Sequence, residues 1–112
     1  MIVSAEDITH AYTSLDNATN RVLQTQLYAL GLKYELDDAI SRAIAHGEIE
    51  GKNDSERKAN TDTKFSERKT QLRIAQGEAE IANVDFELAQ HEVSRVQALL
   101  RLLEVTSKLP GD

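Results

Sequence analysis

Three histidines and nineteen carboxylates are the side chains of this chain that could hold a metal or move a proton. Helical bundles that bind metals through carboxylates carry Glu-x-x-His on facing helices, so that both ligands share one helix face. Here Asp7-x-x-His10 occurs once, and otherwise there are only His46-x-x-x-Glu50 and Glu87-x-x-x-His91. The absence of cysteine excludes disulfides, thiolate metal sites and thiol catalysis. Neither a glycine-rich phosphate loop nor a Ser/His/Asp set emerges from the spacing. Acid pairs such as Asp37–Asp38 and Glu78–Glu80 fall on faces that read as solvated. The residues therefore supply no catalytic group, metal site or cofactor site, and the expectation is a protein that is not an enzyme.

Whether the histidines can meet depends on the elements that carry them. From Phe65, alternate steps of three and four reach Arg68, Leu72, Ala75, Ala79, Ala82, Phe86, Ala89, Val93, Val96, Leu100 and Leu103. All but Arg68 are apolar, and a sustained seven-residue repeat marks a helix whose seam faces another helix. A second set runs Ile8, Ala11, Leu15, Ala18, Val22, Thr25, Ala29, Leu32, Leu36, Ala39, Ala43 and His46, with Thr25 and His46 its polar members. Ser4 and Asp7 are spaced as a capping box, with Val3 and Ile8 as a hydrophobic staple and Gly47 as the C-terminal cap. Lys108 suits the last turn of the second helix, and Pro110 stands just past its end.

The reading is one all-α domain over 1–112, a long antiparallel two-helix (coiled-coil) hairpin. Helix one spans about 4–46, a connector about 47–64, and helix two about 65–109, and within the connector Asn53-Asp54-Ser55-Glu56 is placed to cap a short helical turn through Glu56–Ala59. Large residues meet small ones when facing residue numbers total about 111, so that Leu36 faces Ala75 and Ala11 faces Leu100. In that register His10, His46 and His91 lie tens of ångströms apart at about 1.5 Å per residue. Solvated surface histidines are the plain reading, with His46 packing its ring or capping a carbonyl at the connector end. A thin hairpin implies no concave pocket.

Each helix carries apolar residues outside this seam. On helix two they are Ile74, Ile81, Leu88, Leu102 and Leu109, spaced by seven and interrupted at Arg95, with Val84, Ala98, Leu99 and Val105 widening the stripe. On helix one they are Leu23, Leu27, Leu30 and Tyr34, with Ile44 further on. A lone hairpin is marginally stable, so these stripes call for a partner. The expected partner is another copy, giving a four-helix bundle or a higher oligomer through Leu23, Leu27, Leu30, Tyr34, Ile74, Ile81, Leu88, Leu99 and Leu102. Helices of another protein are the alternative.

A net charge of −6 argues against generic attraction to nucleic acid or to an anionic membrane. No run of about 18 apolar residues suggests a membrane span. The start, Met1-Ile2-Val3-Ser4-Ala5-Glu6-Asp7, is acidic where a signal peptide is basic, and a cytoplasmic location is expected. One region departs from the overall charge. Between Lys52 and Arg73 seven bases stand against four acids, a local +3. A basic tip of this kind can meet phosphate or an acidic protein surface, although Phe65 is the one aromatic there for base stacking.

The stretch Ile49-Glu50-Gly51-Lys52-Asn53-Asp54-Ser55-Glu56-Arg57-Lys58-Ala59 resembles a segment of small uncharacterised phage and prophage helical-hairpin proteins. Those carry Gly-Lys-Asn-x-x-Glu-Arg before a Glu/Ala/Leu-rich helix, matched here by Gly51, Lys52, Asn53, Glu56 and Arg57. The resemblance covers about ten residues and the general layout. It implies a phage accessory protein, acting in a bacterial host cell, from a region encoding DNA-handling functions, and it supplies no catalytic residue. The functional expectation is a scaffolding or interaction protein that contacts a protein partner through Gly51, Lys52, Asn53, Glu56, Arg57, Lys58, Arg68 and Lys69. Nucleic-acid binding through the same tip is the alternative.

Overall fold

The structure, a computed structural model, describes residues 3–107. These form three α-helices and no strand: α1 (Ala5–Ala45), α2 (Asp54–Lys64) and α3 (Ser66–Ser107). The all-α expectation is met. Leu109, Lys108 and Pro110, read above as the end of helix two, lie outside the described residues.

Local chemistry explains the boundaries of α1. The Ser4 amide donates to Asp7 Oδ2 at 3.0 Å, and the Asp7 amide donates to Ser4 Oγ at 3.1 Å. Two of the amides that a helix start leaves without partners are thereby satisfied. Val3 and Ile8 pack together on the cluster of Ala11, Val93 and Val96, as a staple does. At the other end the Glu48 amide donates to the Ala43 carbonyl (2.8 Å) and the Gly47 amide to the Ile44 carbonyl (3.1 Å). With Gly47 at φ +68° this is a Schellman ending, and the left-handed backbone there favours glycine.

The expected connector over 47–64 is mostly helix. Asn53 is the N-cap of α2, its side-chain oxygen accepting from the Glu56 amide at 2.9 Å. Glu56 reaches back in turn, its Oε2 accepting from the Lys52 amide at 2.6 Å. A capping pair, its return bond falling on the amide just before the N-cap, thus starts an 11-residue helix with no buried residue. Between α2 and α3 stands Phe65 alone, at φ −106° and ψ 15°. Its amide still donates to the Thr61 carbonyl and its carbonyl accepts from Lys69, so the hydrogen-bonded ladder passes through it. The true turn is 46–53.

The chain divides into two compact units, one joining the chain up to Leu23 with the chain from Ile81 onward, the other Gln24–Glu80. In the first, Ala11, Val93 and Val96 form the core with Val3, Ile8 and Leu15 against them. In the second, Leu36, Ala43 and Phe65 are buried, flanked by Ala39, Ile40, Ile49 and Leu72.

Every helix-one seam position except His46 is at least half-buried, and so are nine of the twelve on helix two. Ala43 clusters with Phe65 and Leu36 with Leu72 in one unit, and Ala11 with Val96 in the other, where Gln97 Nε2 donates to Tyr12 Oη at 2.9 Å. These pairs total 107–109, and the same clusters also hold Leu15 with Val96 and Ala39 with Leu72, which total the expected 111. Leu100 and Leu103, expected in the seam, are both exposed.

Candidate functional site

The basic tip is built by its own residues. A Cβ on Gly51 would stand 2.7 Å from the Arg57 nitrogen, so glycine is needed for the turn to close on α2. Asn53 and Glu56 are consumed by the capping pair. Asn60 Nδ2 donates to the Glu50 carbonyl, and Lys64 Nζ lies 3.1 Å from Glu48 Oε2, tying the turn to α2 at two further points. Ile49 packs on the Leu36–Ala43–Phe65 cluster from the same turn. The string from Gly51 to Arg57 therefore has a structural role at Gly51, Asn53 and Glu56.

Ion pairs reduce the charge that the tip can offer. Arg57 Nη2 lies 2.6 Å from Asp54 Oδ1, and Lys69 is bonded to Asp62. The Lys69 hydrogen bond holds the Asp62 carboxyl below the usual carboxylate range. Of the seven bases between Lys52 and Arg73, the ammonium or guanidinium groups of Lys52, Lys58, Arg68 and Arg73 stay outside the ion pairs, and all four residues are exposed. Of the eight candidate tip residues, three offer free charge: Lys52, Lys58 and Arg68.

Beside the tip, within the second unit, lies an open groove of about 680 Å³. It corrects the expectation of no concave pocket. Leu32, Leu36, Ala39, Ala43 and Phe65 form its apolar floor, and Glu35, Asp38, Glu48, Arg42, Lys64 and Arg68 its rim. Several rim charges are neutralised locally, since Arg42 pairs with Asp38 at 3.1 Å and Lys64 with Glu48. The groove opens where α1 ends and Phe65 interrupts the second helix. His46 lines it as an exposed residue, with its amide donating to the Arg42 carbonyl at 2.9 Å. His46, the last seam position before the Gly47 reversal, thus stays exposed at the groove.

In the first unit a charged cluster joins the start of α1 to α3. Arg95 grips Glu92 through two hydrogen bonds, Nε to Oε2 at 3.0 Å and Nη2 to Oε1 at 2.6 Å. The Arg95 bond keeps the Glu92 carboxyl below its usual range, and Glu92 in return holds the Arg95 guanidinium above its own. The Asp7 carboxyl is lowered chiefly by its hydrogen bonds to the Ser4 amide and hydroxyl, with Arg95 and His10 adding attraction. Among the described residues no group of three His, Asp or Glu side chains is arranged to hold a metal.

Eight of the nine candidate interface residues, Leu23, Leu27, Leu30, Tyr34, Ile74, Ile81, Leu88 and Leu102, are exposed, and Leu99 is half-buried. Among the described residues fifteen large apolar side chains are exposed, whereas the buried core has nine members and five of them are alanine. No described helix is long and apolar enough to cross a membrane.

Sequence reasoning found the Asn53 cap and a helical turn at Glu56–Ala59 but missed the full length of α2, and it missed the groove. A signal for α2 was present: no glycine or proline stands between Lys52 and Gly77, so nothing obliged the chain to stay irregular there. Set against family models, curated proteins and solved structures, the chain matches none.

Proposed function

We propose that this chain is a non-enzymatic interaction or scaffolding protein, a helical hairpin whose outer apolar faces are covered by other helices, a second copy first among them. The observation that carries the reading is the inversion of large apolar residues: among the described residues fifteen are exposed, and only Leu36, Phe65, Val93 and Val96 are buried. Full burial of one such side chain is worth about 1.5–3 kcal/mol, so a partner that covers several of them stabilises the fold substantially. A phage accessory role in the cytoplasm of a bacterial host goes with this proposal. It is supported by the resemblance of Gly51–Arg57 and weakened by the structural use of Gly51, Asn53 and Glu56.

Association that stabilises the fold makes the unfolding midpoint depend on concentration. The thermal midpoint is expected to rise over a hundredfold range of chain concentration, and to lose that dependence in a Leu88→Glu/Leu102→Glu variant. A flat midpoint, together with failure of immobilised chain to retain any protein that this variant releases, would end the interaction reading.

Nucleic-acid binding through the tip is the second reading, favoured by the unpaired charges of Lys52, Lys58, Arg68 and Arg73. Fluorescence anisotropy with labelled single- and double-stranded DNA at low and moderate salt tests it. Binding that weakens with salt and vanishes in the Lys52→Ala/Lys58→Ala/Arg68→Ala variant would promote it. No binding at low salt would discard it.

A further inference from the structure

The outer face of α3 within the first unit has an internal symmetry that selects its occupant. Its apolar positions Ile81, Val84, Leu88, Leu102 and Val105 are all exposed, at 53–62% of their full area. With His91, Arg95 and Ala98 they complete an unbroken three-four repeat, the pattern by which one helix seam meets another. The two ionisable members stand four residues apart at the midpoint of this seam. We infer that a second copy of this chain covers the face, its α3 running antiparallel and centred between His91 and Arg95.

In that alignment Ile81 meets the other copy's Val105, and Val84 meets its Leu102. Leu88 then meets Ala98, a large residue against a small one, as interdigitated layers require. His91 meets Arg95 at the centre. Sliding by a heptad in either direction sets His91 and Arg95 against aliphatic side chains. A parallel in-register pair stacks Arg95 on Arg95. Polar seam positions are the ordinary device by which helices fix register and direction, and of these alignments only the centred antiparallel pair sets polar against polar without stacking Arg95 on Arg95.

Flanking charge agrees. The exposed Glu87 and Arg101 occupy equivalent edge positions of the seam, so each meets its opposite across the two-fold axis, twice per pair. Each Arg95 arrives at the centre already held by its own Glu92, which keeps two guanidinium groups near the axis from facing each other bare.

The inference rests on the interaction reading and names its partner. Because the chain has no cysteine, single Leu88→Cys and Ala98→Cys variants report pairing without background. Light scattering of the wild type is expected to give about twice the 12.5 kDa chain mass. Under mild oxidation an equimolar mixture of the two variants is expected to yield a disulfide-linked dimer, and neither variant alone should do so. Cross-linking by Leu88→Cys alone would show a parallel pair and overturn the geometry. So would a dimer mass without the mixed cross-link, although the interaction reading would survive it. A helical monomer at all concentrations overturns the second copy itself. Charge exchange tests the same axis without touching the apolar seam. Glu87→Arg and Arg101→Glu should each weaken the dimer at least several-fold, and mixing them should restore it. Equal weakening that mixing leaves unchanged counts against the alignment.

Discussion

Gly51 and the Arg57 backbone nitrogen approach so closely that a Cβ on the glycine would stand 2.7 Å from that atom, with the Arg57 Cα only 3.1 Å away. These are backbone atoms at the first turn of α2 and cannot swing aside. Gly51 also sits at φ +158°, where an L side chain is strained. Gly51→Ala should therefore displace the turn from α2 at a cost of about 1–3 kcal/mol. Amide exchange should show it as faster exchange at Lys52 and Glu56, with the Ala11–Val93–Val96 unit untouched. Unchanged protection at both amides would refute the close approach.

The opposite result is expected at Gly31 and Gly77. Both lie inside helices, and a Cβ built on either meets nothing within 4 Å. Replacing a mid-helix glycine with alanine removes backbone freedom from the unfolded chain and favours the helix by roughly 0.5–1 kcal/mol. Gly31→Ala and Gly77→Ala should each raise the urea midpoint by a comparable amount. A loss of stability at either position would mean that a helix from another chain packs closely there.

How much of this could be read from the sequence depends on the range of the interaction. The Ser4–Asp7 box and the Gly47 ending were legible, because each is closed by residues at most five apart. The seam was legible too, since its period survives any register. Its ends were less so, since the clusters hold pairs that total 111 beside pairs that total 108, and which side chains close the turn end depends on the turn. The turn takes only 46–53, and Phe65 comes to lie on Ala43. Once the stretch after Asn53 was taken for a connector with only a short helical turn, the groove could not follow. The tip was legible as a basic stretch, but its internal pairing was not, because Lys64–Glu48 and Lys69–Asp62 depend on the helical path of α2 and on where the turn lies against it.

Phe65 tests that account. It is the largest member of the second unit's core and the residue at which α2 passes into α3. Phe65→Ala should cost about 3 kcal/mol, at the lower end for a buried aromatic because the groove beside it is open. Phe65→Leu keeps most of the contact and should cost about 1 kcal/mol. A negligible loss in both variants, measured by urea unfolding, would show that the Leu36–Ala43–Phe65 cluster does not hold the turn end together.

Acid should weaken the other unit first at the start of α1. The Asp7 carboxyl is held below the usual carboxylate range by the Ser4 amide and hydroxyl, and Glu92 by Arg95. Each folded-state pKa is lower than its unfolded value, so in the acid range the unfolded chain binds more protons. The stabilisation is fully present above about pH 5 and falls away as pH drops through about 4 and below. Arg95, whose own pKa is raised, stays charged throughout this window and contributes no slope. Asp7→Asn removes the titrating charge while keeping a hydrogen-bond acceptor for Ser4. The variant should be less stable than the parent at pH 7, and the gap should narrow toward pH 2.5 as the parent's carboxylate is protonated. Urea midpoints across that range give the comparison. A gap that stays constant down to pH 2.5 would mean that the Asp7 charge contributes nothing to the cap beyond its shape.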